Sequence, residues 1–390
     1  MFRSNLMQIR KYLLIILCAI TGSSYAQVTG GQRTMEFLRL ANSPHISALG
    51  GTNIASADDD IAFALQNPAL MRPELHNNLG LNYNAFYSGI SIANMQYGYH
   101  VPKINTSFAL GIQYLNYGSF TQTDNIGNQY GTFKANEFAI TLAASRQYKT
   151  KWRYGAALKF ANSALYDKRS SALLMDIGVT YYDSNALWMV SAVAQNMGVV
   201  LSKYNPNNSS EPLPFDLQIG ISKRLKYVPL RLMATIHHLY EWDIRYNNPA
   251  DNTQNNLFGG QDTTATQKSY FGDKLFRHFV FGAEIIIGKR LLATVAYNHL
   301  RRGELSIEDK PGLAGFSFGL GVNLNKFQIH YARSYYHIAG AYNEFGINMS
   351  LNKIIGAGKL GEKINWSDTY PGWKYTAPPR TSPTSASSEG

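Results

Sequence analysis

Between Leu79 and Leu351 the chain alternates apolar and polar residues with a period of two, in segments of about ten residues. Phe316, Phe318, Leu320, Val322 and Leu324 share one parity, against Ser317, Gly319, Gly321 and Asn323 on the other. Trp152, Tyr154, Ala156, Leu158 and Phe160 alternate in the same way with Arg153, Gly155, Ala157 and Lys159. A strand sends successive side chains to opposite faces, so each segment has one face for lipid and one polar enough to meet water. A bilayer leaves no backbone group to be satisfied by solvent, which forces such strands to close into a barrel.

Fourteen segments are placed, near 78–88, 91–101, 106–117, 133–146, 152–162, 172–182, 186–197, 214–223, 229–240, 277–287, 291–300, 314–324, 326–335 and 342–351. The links after even-numbered segments are short. Most of those after odd-numbered ones are long: 118–132, 163–171, 198–213, 241–276 and 301–313. Short periplasmic turns alternate with long outer loops in this way, and both ends of the barrel then lie on the periplasmic side. Glu137, Lys159, Asp176, Asp216, Arg231, Glu284 and Glu344 all fall on the polar parity. Lys134, Arg146, Lys223 and Arg333 share the apolar parity, but each sits near a segment end, where a long side chain reaches the interface. The prediction is an all-β, 14-stranded antiparallel transmembrane barrel with an N-terminal plug segment. Its divisions are a signal peptide (1–26), the plug (27–76), the barrel (77–351) and a flexible periplasmic tail (352–390), rich in Ser and Thr at its end.

The signal reading rests on Arg3, Arg10 and Lys11, the apolar run Tyr12–Ile20 and the cleavage motif Ser24-Tyr25-Ala26, which would make Gln27 the first mature residue. A lipoprotein reading would acylate Cys18, yet Leu17 stands before it where a small residue is expected. Cys18 is the only cysteine, so the mature chain has no disulfide or thiolate chemistry. A mean hydropathy of −0.22 excludes a bundle of membrane helices, whereas a barrel needs apolar residues at only every second strand position. The net charge of +11 is spread over turns rather than gathered in a stripe. That disfavours nucleic acid and fits anionic headgroups or lipopolysaccharide as counter-charges.

Residues 27–76 do not alternate. They carry a predicted short helix from Thr34, with Thr34 as its cap, and then Ala48-Leu49-Gly50-Gly51, the acidic run Asp58-Asp59-Asp60, and Asn67-Pro68-Ala69-Leu70. This order of motifs, with the chain length, resembles the FadL-like outer-membrane barrels, and within them the PorQ-type barrels of the type IX secretion system. The resemblance implies a fourteen-stranded barrel whose plug motif is Gly50, Gly51, Asp58, Asp59, Asp60, Asn67 and Pro68. It also implies a non-enzymatic place in the outer-membrane attachment complex with PorU and PorV, holding a PorZ-like surface protein while cargo is processed and joined to anionic lipopolysaccharide. The alternative is a FadL-like transporter of small hydrophobic molecules.

No cofactor or catalytic set is expected. Asp58–Asp60 lacks an EF-hand spacing and is read as plug hydrogen bonds or salt bridges to lumen cations. His237 and His238 are adjacent on a predicted strand and should face opposite ways, His238 toward the interfacial belt and His237 toward the lumen near His330 and Glu284. Gly356-Ala357-Gly358-Lys359-Leu360-Gly361 lacks the strand–helix context of a dinucleotide site, and Ser350-Leu351-Asn352-Lys353 lacks the companions of a Ser-x-x-Lys enzyme. The loop 241–276 is too long to be only a connector. Its Tyr246, Phe258, Tyr270 and Phe271 are the candidate partner-binding residues.

Overall fold

The computed structural model describes residues 33–56, 58–205, 211–244, 271–288, 290–304, 312–324, 326–337 and 340–355. The signal peptide, the tail beyond Ile355, and Tyr246, Phe258 and Tyr270 lie outside them.

Fourteen strands form the wall: β1 (Asn78–Ala85), β2 (Ser91–Val101), β3 (Thr106–Thr123), β4 (Gln129–Tyr148), β5 (Trp152–Leu165), β6 (Lys168–Asp183), β7 (Trp188–Ser202), β8 (Asp216–Arg224), β9 (Leu230–Ile236), β10 (Phe279–Ile287), β11 (Leu291–Asn298), β12 (Phe316–Asn323), β13 (Phe327–His337) and β14 (Gly340–Ser350). Each is antiparallel to its neighbours in chain order, and β1 pairs with β14 from Asn78↔Ser350 to Ala85↔Asn343, which closes the barrel. Closure leaves no edge.

The alternation sorts as the parity dictates. Leu142, Leu158, Leu320 and Phe345 are exposed on the outside. Glu137, Lys159, Asp176, Asp216, Arg231, Glu284 and Glu344 are all buried within. A charge on the lipid face at mid-membrane would cost about 2–4 kcal/mol for a cation, so this register is strongly selected. Of the four cations of the other parity, Lys134, Arg146 and Lys223 are exposed toward strand ends, whereas Arg333, expected near an end, is exposed close to the middle of β13, where it donates to the Asn343 side chain at 3.0 Å. A closed barrel with an apolar exterior and a charged interior is an outer-membrane barrel that crosses the bilayer by its strands.

Several local expectations are corrected. Much of the predicted loop 118–132 is strand, because β3 and β4 continue to Thr123 and from Gln129. Likewise 163–171 shrinks to the tight turn at Tyr166-Asp167 between β5 and β6. Polar Thr, Ser and Gln in these stretches hide the alternation once both faces leave the lipid. The predicted helix at 34–40 is only a 3-10 turn, Glu36–Arg39; Met35 rather than Thr34 precedes it, at φ 60° and without a side-chain cap.

The segment before β1 fills the lumen. It comprises short helices at Pro44–Ala48 and Phe63–Gln66 and single turns at Pro68–Leu70 and Pro73–Leu75. Ile46, Leu49, Ile54, Ile61, Phe63, Met71 and Leu75 in it are fully buried. The wall makes room with glycine on its inner parity. A Cβ on Gly155 would stand 2.5 Å from the Pro68 carbonyl carbon, and one on Gly178 would meet the Asn67 amide oxygen.

Candidate functional site

The plug motif is built to turn tightly against that wall. Gly50 and Gly51 follow the Pro44–Ala48 helix with φ of 88° and 91°, and their N–H groups donate to the carbonyls of Ser47 and Ile46 at 3.0 Å. Left-handed backbone at two successive residues favours glycine. A Cβ at Gly50 would also strike Val280 at 2.4 Å. Further on, Asn67 caps the Pro68–Leu70 turn by accepting from the Ala69 N–H at 3.0 Å. Its side-chain NH₂ donates to the Ile54 carbonyl at 3.0 Å and to the Thr180 hydroxyl on β6 at 3.2 Å, tying the turn to plug and wall together.

The acidic run divides three ways. Asp60 is buried and serves the plug itself, accepting from the Ser43 hydroxyl at 2.8 Å and the Ala62 N–H at 2.9 Å. Asp59 is largely exposed and pairs with Arg72 at 3.1 Å. Asp58 turns inward to Arg231 of β9 at 2.5 Å and accepts from Ser56 at 2.6 Å. Arg231 also binds Glu284 of β10, its Nε donating to Oε2 at 2.6 Å. The plug's His45 meets the other oxygen of Glu284 at 2.5 Å, lies 3.7 Å from Asp58, and stacks on His330 of β13 at 4.9 Å. Plug and wall are therefore joined by one buried network containing two carboxylates, a guanidinium and an imidazole.

Burial opposes charge on both plug members, but the partners win. Against that burial, Arg231 and His45 hold the Asp58 carboxyl well below the usual carboxylate range. The Glu284 carboxylate, with Asp58 and Asp60, likewise holds His45 above the ordinary imidazole value. Arg231 occupies the space between Asp58 and Glu284, so His45, Asp58 and Glu284 are a locked ion-pair cluster rather than an open cation site. A second tie joins the plug's Ser47 to Glu344 of β14 at 2.6 Å.

At the outer rim the structure overturns the reading of the paired histidines. Strand β9 ends at Ile236, short of the predicted 240, and His238 has φ 56°. That left-handed residue breaks the alternation, so His237 and His238 converge instead of diverging. Their Nδ1 atoms lie 2.5 Å apart, next to Asp216 at the start of β8. His330 and Glu284, expected near His237, gather on His45 instead. Burial, with the charge of His278 and then Arg39 nearby, pushes the His237 imidazole down to about 3, and burial also carries His238 well below its usual value.

Of the candidate partner-binding residues, only Phe271 is described. It is exposed at the start of a helix, Phe271–Arg277, and packs on Trp242 with ring centroids 5.4 Å apart. Sequence reasoning missed a more defined outer feature, the β3–β4 hairpin. Gln129–Lys134 pair with β3 alone, above the point where β5 stops at Leu165 opposite Ala135. Its flank is braced by Tyr166, which packs against Phe133 and accepts from Gln122. The tip is organised by Asp124, which accepts from the N–H groups of Ile126 and Asn128 and from the Tyr130 hydroxyl at 2.7 Å. Ile126 and Tyr130 stand out at 84% and 67% exposure. The Asp124-Asn125-Ile126-Gly127 turn was the legible signal.

No family model matches the chain, and no curated protein matches it. Among solved structures it is similar to the CymD monoaromatic hydrocarbon channel (12% identity, 80% of this chain and 97% of that one, TM-score 0.45). It is also similar to a deletion mutant of the TodX monoaromatic hydrocarbon channel (14%, 80% and 97%, TM-score 0.43). A Pseudomonas aeruginosa FadL homologue is a third such structure (11%, 84% and 98%, TM-score 0.39). At these values the likeness carries no argument about function, and the fold rests on the chain's own strand order.

Proposed function

We propose that this barrel is a sealed outer-membrane anchor that holds a second protein at the cell surface, in the manner of PorQ-type barrels. In that setting the partner is a PorZ-like surface protein, working beside PorU and PorV on cargo destined for anionic lipopolysaccharide. The observation that carries the reading is the braced β3–β4 hairpin. β4 has 20 residues, against the 9–11 or so that a membrane strand needs, so it rises far above the bilayer. Its tip presents an aliphatic and an aromatic side chain on a fixed turn, which lowers the ordering cost of binding. The filled lumen supports a platform more than a conduit.

The test is a mild-detergent pull-down from the native bacterium, with Ile126→Ser/Tyr130→Ser compared with the parent chain. Loss of the surface partner with an intact barrel supports the anchor. Normal partner retention by this variant and by one shortened within 241–276 sinks it.

One observation favours the FadL-like reading. A cavity of about 430 Å3 lies between the upper part of β7 and the chain entering β8, lined by Asn196, Met197, Val200, Leu213 and Phe215 among others. The β6–β7 register shifts between Met175 and Ile177 there, and the β7–β8 ladder stops at Gln195↔Asp216. Saturable uptake of a radiolabelled monoaromatic hydrocarbon, lost on deleting this chain and restored by it, would move the balance to transport.

A further inference from the structure

We propose that Asp216, His237 and His238 form a binding site for a divalent ion of the zinc class at the outer end of the barrel wall. The three side chains each offer a donor atom within 4.8 Å of the other two. They come from two adjoining strands, since Asp216 opens β8 and the histidines follow the last residue of β9. Two imidazole nitrogens and one carboxylate make the mixed nitrogen–oxygen set that suits zinc, with a fourth position left for water.

The local backbone is shaped for convergence. A non-glycine residue at φ 56° is uncommon, and here it is what swings the His238 ring onto the side of His237. The Asp216 carboxylate fixes that bend by accepting from the His238 N–H at 2.6 Å, and it is held in turn by the Gln218 amide at 2.7 Å. His237 is buried, and its Nε2 meets no hydrogen-bond partner among the described residues. Within the protein its ring is therefore positioned through Nδ1.

The distances need only small adjustment. The two Nδ1 atoms stand 2.5 Å apart. Tetrahedral zinc at ~2.0–2.1 Å from each ligand would set ligand atoms about 3.3 Å apart. The imidazole pair must open by less than about 1 Å, and the His238 Nδ1–Asp216 separation of 3.9 Å must close by less than that.

The neighbourhood is defined. His278 directs its ring nitrogens to the carbonyls of His237 and Trp242, so it braces the site from outside the donor set. Arg39 binds the Phe215 carbonyl and Glu36, Arg33 binds Glu241, and Arg301, the third guanidinium near His237, lies over the Tyr336 ring at 4.2 Å.

The experiment uses the full mature protein in detergent, purified with a peptide tag that contains no histidine, stripped by chelator and titrated with zinc. One equivalent should remain through size exclusion, and X-ray absorption at the zinc edge should report imidazole scatterers. His238→Ala and Asp216→Asn should each weaken zinc binding at least tenfold, while His45→Gln, in the lumen cluster, should leave it unchanged. Heat-modifiable gel mobility checks that every variant is folded. If His238→Ala does not fold, the absorption spectrum of the parent chain still decides. Absence of a stoichiometric ion in the folded parent, absence of imidazole scattering, or loss of binding in His45→Gln alone overturns the proposal.

Discussion

Replacing Arg231 with methionine tests whether the plug is locked by charge. The guanidinium is fully buried and pairs with Asp58 of the plug and Glu284 of the wall. Methionine fills much of the same space but leaves those two carboxylates facing each other, with His45 beside both. Removing one partner from a buried ion pair typically costs about 3–5 kcal/mol. At about 1.4 kcal/mol per power of ten, that shifts the docked-to-released plug equilibrium by roughly 140- to 3,700-fold. The assay is planar-bilayer recording of the folded barrel. The parent chain should stay closed, and Arg231→Met should show frequent openings together with a lower temperature of heat-modifiable mobility. Asp58→Asn/Arg231→Met/Glu284→Gln removes both stranded carboxylates and leaves His45 among neutral groups, and it should recover most of the lost stability because neutral replacements of buried ion groups are often well tolerated. A single variant as quiet and as heat-stable as the parent, or a triple variant no better than the single, would refute the reasoning.

Gly155→Val places a side chain where even a Cβ lies 2.5 Å from the Pro68 carbonyl carbon. It should destabilise the docked plug by about 1–3 kcal/mol, read as a lower heat-modification midpoint, whereas Gly131→Val, with nothing within 4 Å among the described residues, should be silent. The pH profile of plug retention should have two limits. The raised His45 value means its contribution is full below the unfolded imidazole value and is lost as pH rises through the folded one; His45→Gln should remove that alkaline limb. The depressed Asp58 value means its contribution is present above the usual carboxylate value and is lost as pH falls through the folded one, which Asp58→Asn should flatten. Asp124→Ala removes the acceptor that organises the β3–β4 tip, so limited proteolysis should cut near Ile126 faster while the barrel midpoint stays constant.

The barrel was legible because lipid enforces its rule at every second residue, and a misplaced Lys159 or Arg231 has nowhere to go but inward. The same rule lost its hold wherever the lipid ends. β3 and β4 continue through Gln122, Thr123 and Gln129 with both faces wet, so nothing in their polarity marks them as strand, and the hairpin was read as a loop. His238 shows the opposite failure: period two was extended through a residue whose left-handed backbone had already ended the strand. The plug's chemistry lay between these cases. The types of residue in Asp58–Asp60 were informative, but the division of labour depends on partners far away in sequence, Arg231 and Glu284 on the wall and Ser43 and Arg72 in the plug. Alternation places Arg231 and Glu284 on the lumen side without saying what they meet there. Only the path of the plug decides that, and Gly50 and Gly51 direct this path by turning the chain after Ala48. The left-handed glycine pair and the inward glycines of the wall are thus two halves of one constraint, since the first bends the plug and the second lets its backbone come within contact of the barrel.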